Sequence, residues 1–164
     1  MKLFAKVSVA LAVIAAVAVP LALANGSGTG TGTRTQEFVS VQHHFTSVPG
    51  LGRNEAPQVG LRFVFQDAAY NRSAQFGKPA GARIGRAEGV CTLIAVTKRP
   101  EAQCTITAHM PDGQIVLAGE GDPGAKVSRY AIVGGVGAYA NAHGWVVTTA
   151  LSQTKTLVVV HLSS

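Results

Sequence analysis

"SRYAIVGGVGAYANAHGWVV", residues 128–147, sets Gly134, Gly135 and Gly137 behind an apolar run, Tyr130-Ala131-Ile132-Val133. Read from Gly135, the spacing G-x-G-x-x-A has the form of a dinucleotide-binding fingerprint. Such a fingerprint needs a helix after the glycines, because the helix N-terminus holds the pyrophosphate. The chain instead runs on into Gly144-Trp145-Val146-Val147-Thr148-Thr149, a composition that favours a strand. The acidic residue expected about 20 positions on is missing, since that place is held by Lys155. The glycines therefore read as a turn between two strands. Gly134, Gly135, Gly137 and Gly144 supply positive φ and close backbone approach there.

The same texture extends in both directions. Short runs rich in Val and Thr predict strands over 37–45, 58–67, 85–96, 102–110, 114–120, 127–134, 144–152 and 156–162. No convincing amphipathic helix separates them. The two longer gaps, 46–57 and 68–84, are rich in Pro, Gly and polar residues and read as loops at the ends of a sheet. Eight short strands at regular spacing indicate an all-β sandwich or barrel.

The chain opens with Met1-Lys2, carries Lys6, and then runs apolar from Val7 to Ala24 with only Ser8 and Pro20 interrupting. A basic start, an apolar middle and Ala22-Leu23-Ala24 at the end read as a secretory signal peptide over 1–24, the alternative being an uncleaved anchor. Residues 25–35, an alternation of Gly, Ser and Thr, read as a flexible tail, and 36–164 as the barrel domain. Of the net charge of +6, Lys2 and Lys6 account for two, leaving +4 on the processed chain. The basic residues are scattered, with no run longer than Lys98-Arg99, which argues against nucleic acid as a partner. After processing no stable membrane anchor is expected.

Cys91 and Cys104 flank "TLIAVTKRPEAQ", two β-prone runs around a turn. Folded as a hairpin they fall opposite each other, and export favours their pairing as a disulfide. The other reading keeps Cys91 as a reactive thiol.

"AIVGGVGAYANAHG" (131–144) resembles the signature of the allene oxide cyclase and dirigent barrel superfamily, a strand leading into G-G-x-G-x-[YF] and then A-x-G. A second segment is similar to that family, "ARIGRAEGVC" (82–91), with the pattern hydrophobic-G-x-x-x-G in Ile84-Gly85-Arg86-Ala87-Glu88-Gly89. The resemblance spans about residues 37–162. It implies an eight-stranded antiparallel β-barrel with an apolar cavity, assembled as a trimer. It also implies a pocket acid. Asp67 sits where a dirigent-type aspartate is expected, and Glu120 and Asp122 close the fifth strand. His143 lies near a dirigent arginine position, and His43 and Phe45 occupy first-strand positions where the cyclases carry glutamate and asparagine.

From these residues we expect Asp67 and Glu120 as candidate catalytic acids. His43, Tyr70, Asp122, Tyr139 and His143 are pocket candidates. Neighbouring residues on a strand face opposite ways, so His43 and His44 cannot chelate one metal, and no metal or other cofactor is expected. No serine occupies a strained strand-to-helix turn, which leaves a serine triad without support.

Two functions stay open. One is a secreted cyclase, isomerase or dirigent-type barrel that confines a small apolar molecule and guides ring closure or coupling. The other is a non-catalytic ligand-binding or structural barrel. Ionisable groups converging on one cavity favour the first. The last two strands carry apolar residues on both faces (Trp145, Val146 and Val147; then Leu157 to Val160), which predicts a homo-oligomer, a trimer by resemblance.

Overall fold

The computed structural model describes residues 33–48 and 56–163; the expected signal peptide, and the tail as far as residue 32, lie outside them. Eight strands run in chain order: β1 (Thr33–Val48), β2 (Arg62–Asn71), β3 (Arg83–Ala95), β4 (Glu101–Met110), β5 (Gly113–Gly121), β6 (Val127–Gly137), β7 (His143–Ala150) and β8 (Lys155–Ser163). Each pairs antiparallel with the next, and β8 returns to β1 to close the barrel. Closure gives every strand two ladder partners, so no strand is left as an edge.

Strand-like composition becomes a barrel through alternation. On β1, Gln36, Phe38 and Ser40 are buried while Glu37 and Val39 face outward. On β4, Ala102, Cys104, Ile106, Ala108 and Met110 are buried at every second position. Phe38, Cys104, Ile106, Ala108 and Met110 join Ile115, Leu117, Ile132, Val146, Val158 and Val160 in the main core, while Ala102 packs with Leu61 and Leu93 in a smaller cluster. Burying each large aliphatic side chain contributes about 1.5–3 kcal/mol.

The sequence reading is corrected at several strand boundaries and at one bulge: β1 runs on to Val48, β2 opens at Arg62 rather than at 58, and β6 runs on to Gly137. Strand β1 begins at Thr33, inside the stretch read as tail, because Thr33, Arg34 and Thr35 pair with Ser163, Leu162 and His161. Pairing with β8 draws this end of the Gly, Ser and Thr stretch into the ladder, and its threonines suit a strand. Strand β2 continues through Ala68, Ala69 and Tyr70 to Asn71, which shortens the 68–84 loop to 72–82. Buried Asn71 holds that loop, its Nδ2 donating to the carbonyls of Gln75, Lys78 and Pro79 at 2.9–3.2 Å. In β1 the register against β2 shifts between Gln42 and His44. His43 is the extra residue of a bulge, so the opposed orientation expected of His43 and His44 does not hold; both are exposed.

Cys91 and Cys104 are register partners on β3 and β4 and are joined by a disulfide, with Cα atoms 4.0 Å apart. The reading of Cys91 as a free reactive thiol is thereby corrected. Closing a loop of this length contributes on the order of 3 kcal/mol by restricting the unfolded chain.

The glycine cluster forms the end of β6 and a turn over 138–142, with β7 rather than a helix beyond it. Gly137 has φ +69° and Gly144 φ +131°. A Cβ on Gly135 would lie 2.7 Å from the Gln114 carbonyl oxygen and would also meet the Tyr139 backbone. Gly134 differs from the reading: it has neither positive φ nor a close neighbour. Gly144→Ala should lower stability by more than about 2 kcal/mol, since strain and a collision with the His161 carbonyl add together. Gly134→Ala should stay within about 0.5 kcal/mol of the parent. Urea denaturation of the two variants measures both, and equal losses would refute the distinction.

Candidate functional site

The two barrel ends differ. At one end Tyr139 folds back from the glycine turn and is fully buried. Its hydroxyl and the Gln36 side-chain amide lie 3.2 Å apart in hydrogen-bonding contact. Burial, together with the nearby Asp112 carboxylate, pushes the Tyr139 phenol far up, so it stays neutral. Phe76, from the 72–82 loop, packs against the same core. This end is plugged.

The other end is open. An inner chamber of about 180 Å³ is walled by Phe38, Phe65, Ile106, Leu117, Tyr130 and Val158. It widens into a mouth of about 360 Å³, and the two spaces share Phe65, Asp67, Tyr130, Thr148 and Thr156 as lining. Phe45 and Phe63 stack at the mouth with ring centroids 5.7 Å apart. The Cys91–Cys104 disulfide also lines the mouth.

Among the described residues one carboxyl group enters the chamber. Asp67 points inward because it shares the parity of Phe65 on β2, and it sits opposite Gln42 of β1 and Ala87 of β3. Ser40 Oγ donates a hydrogen bond of 2.7 Å to Asp67 Oδ2. Burial raises the Asp67 pKa above its ordinary 3.8, while the Ser40 bond and nearby His43 pull it back in part. Desolvation wins, as it does when a carboxylate has few donors around it. Tyr130 is the second proton-bearing group on the wall. Burial raises its phenol too, partly offset by Ser128. A raised carboxyl and a neutral phenol in an apolar chamber can donate or accept a proton, or hold a carbonyl by hydrogen bonds.

The predicted residues scatter around this site. Asp67 lines the chamber and the mouth, and Asp122 lines the mouth, where its Oδ1 accepts a 2.7 Å bond from Gly124 N. Glu120 is exposed on the outer wall opposite Gln103, away from the cavity lining. Tyr70 lies beside Val39 on the outer wall, and His43 stands exposed in the bulge. Tyr139 and His143 belong to the plugged end. Sequence reasoning missed Ser40, Tyr130 and Lys126, all of which line the open end. The parity of Ser40 with Phe38, and of Tyr130 with Ile132, was the available signal. Among the described residues no three His, Cys, Asp or Glu side chains cluster as a metal site.

No protein-family model matches the chain, and no curated protein matches it. Solved structures do. A pyocyanin demethylase superposes with a TM-score of 0.62 at 23% identity, covering 80% of this chain and 99% of that one. A pterocarpan synthase dirigent protein gives 0.60 at 16% identity, over 80% of this chain and 83% of its own. An exo-specific intermolecular Diels-Alderase gives 0.66 at 15% identity, over 81% and 98%. The chain thus has the eight-stranded barrel fold found in dirigent proteins and in Diels-Alderase barrels.

The raised Asp67 pKa has a sign that can be tested. The folded chain keeps this proton to higher pH than the unfolded chain, so stability from this group is full below 3.8 and falls as pH rises through the folded value. Asp67→Asn removes that loss. Thermal denaturation should show the variant more stable than the parent at about pH 7 and level with it at about pH 3. A variant less stable at neutral pH would show that the Ser40 bond outweighs desolvation.

Proposed function

We propose that this protein is an exported barrel that takes a small, largely apolar molecule into its chamber and guides a cyclisation, isomerisation or coupling within it. The observation that carries the reading is Asp67, a half-buried carboxyl hydrogen-bonded to Ser40 on the wall of a largely apolar, solvent-open chamber. The same barrel serving dirigent and cycloaddition chemistry elsewhere supports it. The signal peptide expected over 1–24 and the disulfide support export.

Catalysis would rest first on confinement. A flexible chain held with its reacting ends together gains from the entropy already lost on binding. Asp67, in its protonated form, would donate to a carbonyl or enol oxygen of the substrate, with Tyr130 as a second donor. The inner chamber alone is smaller than the usual 300–1,000 Å³ of ligand sites, so the ligand should extend into the mouth. Its outer part would meet Gln42, Asp122 and Lys126.

The decisive experiment is mass spectrometry of what co-purifies with the native protein, and then binding and turnover of that compound. Ala108→Phe, which fills the chamber, should abolish binding. Asp67→Asn should keep binding within a few-fold and slow conversion by about a hundredfold or more. Binding without any conversion by the parent would favour the non-catalytic carrier. Binding unaffected by Ala108→Phe would refute the chamber as the site.

We also propose a homo-oligomer, with a trimer as its form. On β7 and β8 the outward residues include Trp145, Val147, Leu157 and Val159, an apolar strip on the barrel wall flanked by Thr149 and His161. Trp145 stacks on His161 at 4.9 Å yet remains 44% exposed. Analytical ultracentrifugation should give three times the chain mass, and Trp145→Glu with Val159→Glu should give monomers. A soluble parent monomer would overturn this assembly.

A further inference from the structure

Eight of the eleven large apolar side chains left exposed among the described residues stand in the mouth half of the barrel. They concentrate on the lip made by the ends of β1, β2 and β3, where Phe45, Val48, Val59, Ile94 and Val96 are between 43% and 66% exposed. Backbone bonds build this lip. Gly60 N donates to Leu93 O, and Leu93 N donates to Leu61 O, each at 2.8 Å. The segment before β2 therefore runs along the end of β3 and carries Val59 towards Ile94 and Val96.

Cations stand on the same lip. Arg62 opens β2 beside Val48, and Lys98 and Arg99 form the turn after β3. All three are exposed, and among the described residues none lies within ion-pair distance of a carboxylate. Glu101 is the one exposed carboxylate beside them among the described residues. Phe45 is accounted for by its stacking on Phe63 in the mouth, but water alone gives no reason to keep Val48, Val59, Ile94 and Val96 exposed around these three cations. A second copy docked lip to lip through a two-fold axis would set those cations against themselves. A surface of anionic lipid matches both halves of the pattern, since apolar groups enter the acyl boundary while Arg and Lys reach the headgroups.

We propose that the β1–β2–β3 lip docks the barrel on an anionic lipid surface, holding the open mouth where apolar ligands are dissolved. The delivery of ligand rests on the chamber being a ligand site; the docking stands apart from it. An apolar compound would then pass from lipid to chamber without crossing bulk water, where its surface is costly.

The test is flotation of the exported protein, free of residues 1–24, with vesicles of phosphatidylcholine alone or mixed with about one-third phosphatidylglycerol. The protein should float with the mixed vesicles at low salt and be released as salt rises. Lys98→Glu with Arg99→Glu, and separately Val59→Asp with Ile94→Asp, should each weaken partitioning about tenfold or more. Val133→Asp, equally exposed on the plugged half, should float like the parent. Absence of flotation on anionic vesicles at low salt would overturn the proposal. So would lip variants that float as well as the parent, or lip variants that change the oligomeric mass. Each variant is also tested for binding of the co-purifying ligand in vesicle-free buffer. That binding should be unchanged, so a failure of the chamber reading shows there and a failure of docking shows only on vesicles.

Discussion

Closure of β1 against β8 is the constraint on which the rest depends. Nine register pairs, from Thr33 with Ser163 to Val41 with Lys155, join the first strand to the last. Once the ladder is closed, every side chain on a regular stretch is either inside or outside, and the inside is small. That forces the interior to be filled with Phe, Ile, Leu, Val and Ala from all eight strands. It also leaves a polar residue of inward parity two fates, to be satisfied inside the plugged end as Gln36 is, or to line the chamber that opens at the mouth. Ser40, Asp67 and Tyr130 meet the second.

Asp67 shows how the constraint becomes chemistry. A carboxylate on an outer wall would be hydrated and ordinary. On the inner wall it loses water and gains one short bond from Ser40. A single charge-assisted bond does not replace the several donors a hydrated carboxylate has, so the proton is held to higher pH. The exposed acid at Glu120, one position out of parity with Leu117 and Gly119, receives no such treatment. The difference between the two acids is parity, not chemistry.

The asymmetry of the ends has an equally local origin. Gly135 and Gly137 let the chain after β6 turn tightly enough for Tyr139 to fold under the barrel. Gln36 then satisfies its hydroxyl, and that end is sealed without an unpaired phenol. No corresponding side chain closes the other end among the described residues. There the β5–β6 and β7–β8 connections contribute Asp122, Lys126 and Gln153 to a polar rim, while β1, β2 and β3 end in an apolar lip.

The number of strands, their order, the hairpin that pairs Cys91 with Cys104, and the turn at the glycines were all legible in the sequence. Each is written by contacts between near neighbours, by period-two patterning, or by the backbone freedom of glycine. Glu120 could also have been placed outside by alternation from Leu117. The start of β1 and the extension of β2 were not legible, because Thr33 and Ala69 gain their strand conformation from partners far along the chain. Nor was the fate of His43, since the bulge against β2 breaks the alternation that the sequence implies. The bond between Ser40 and Asp67 links residues 27 positions apart. Which residues share the chamber, and which end opens, depends on the register of eight strands together, and that register exists only once the barrel has closed.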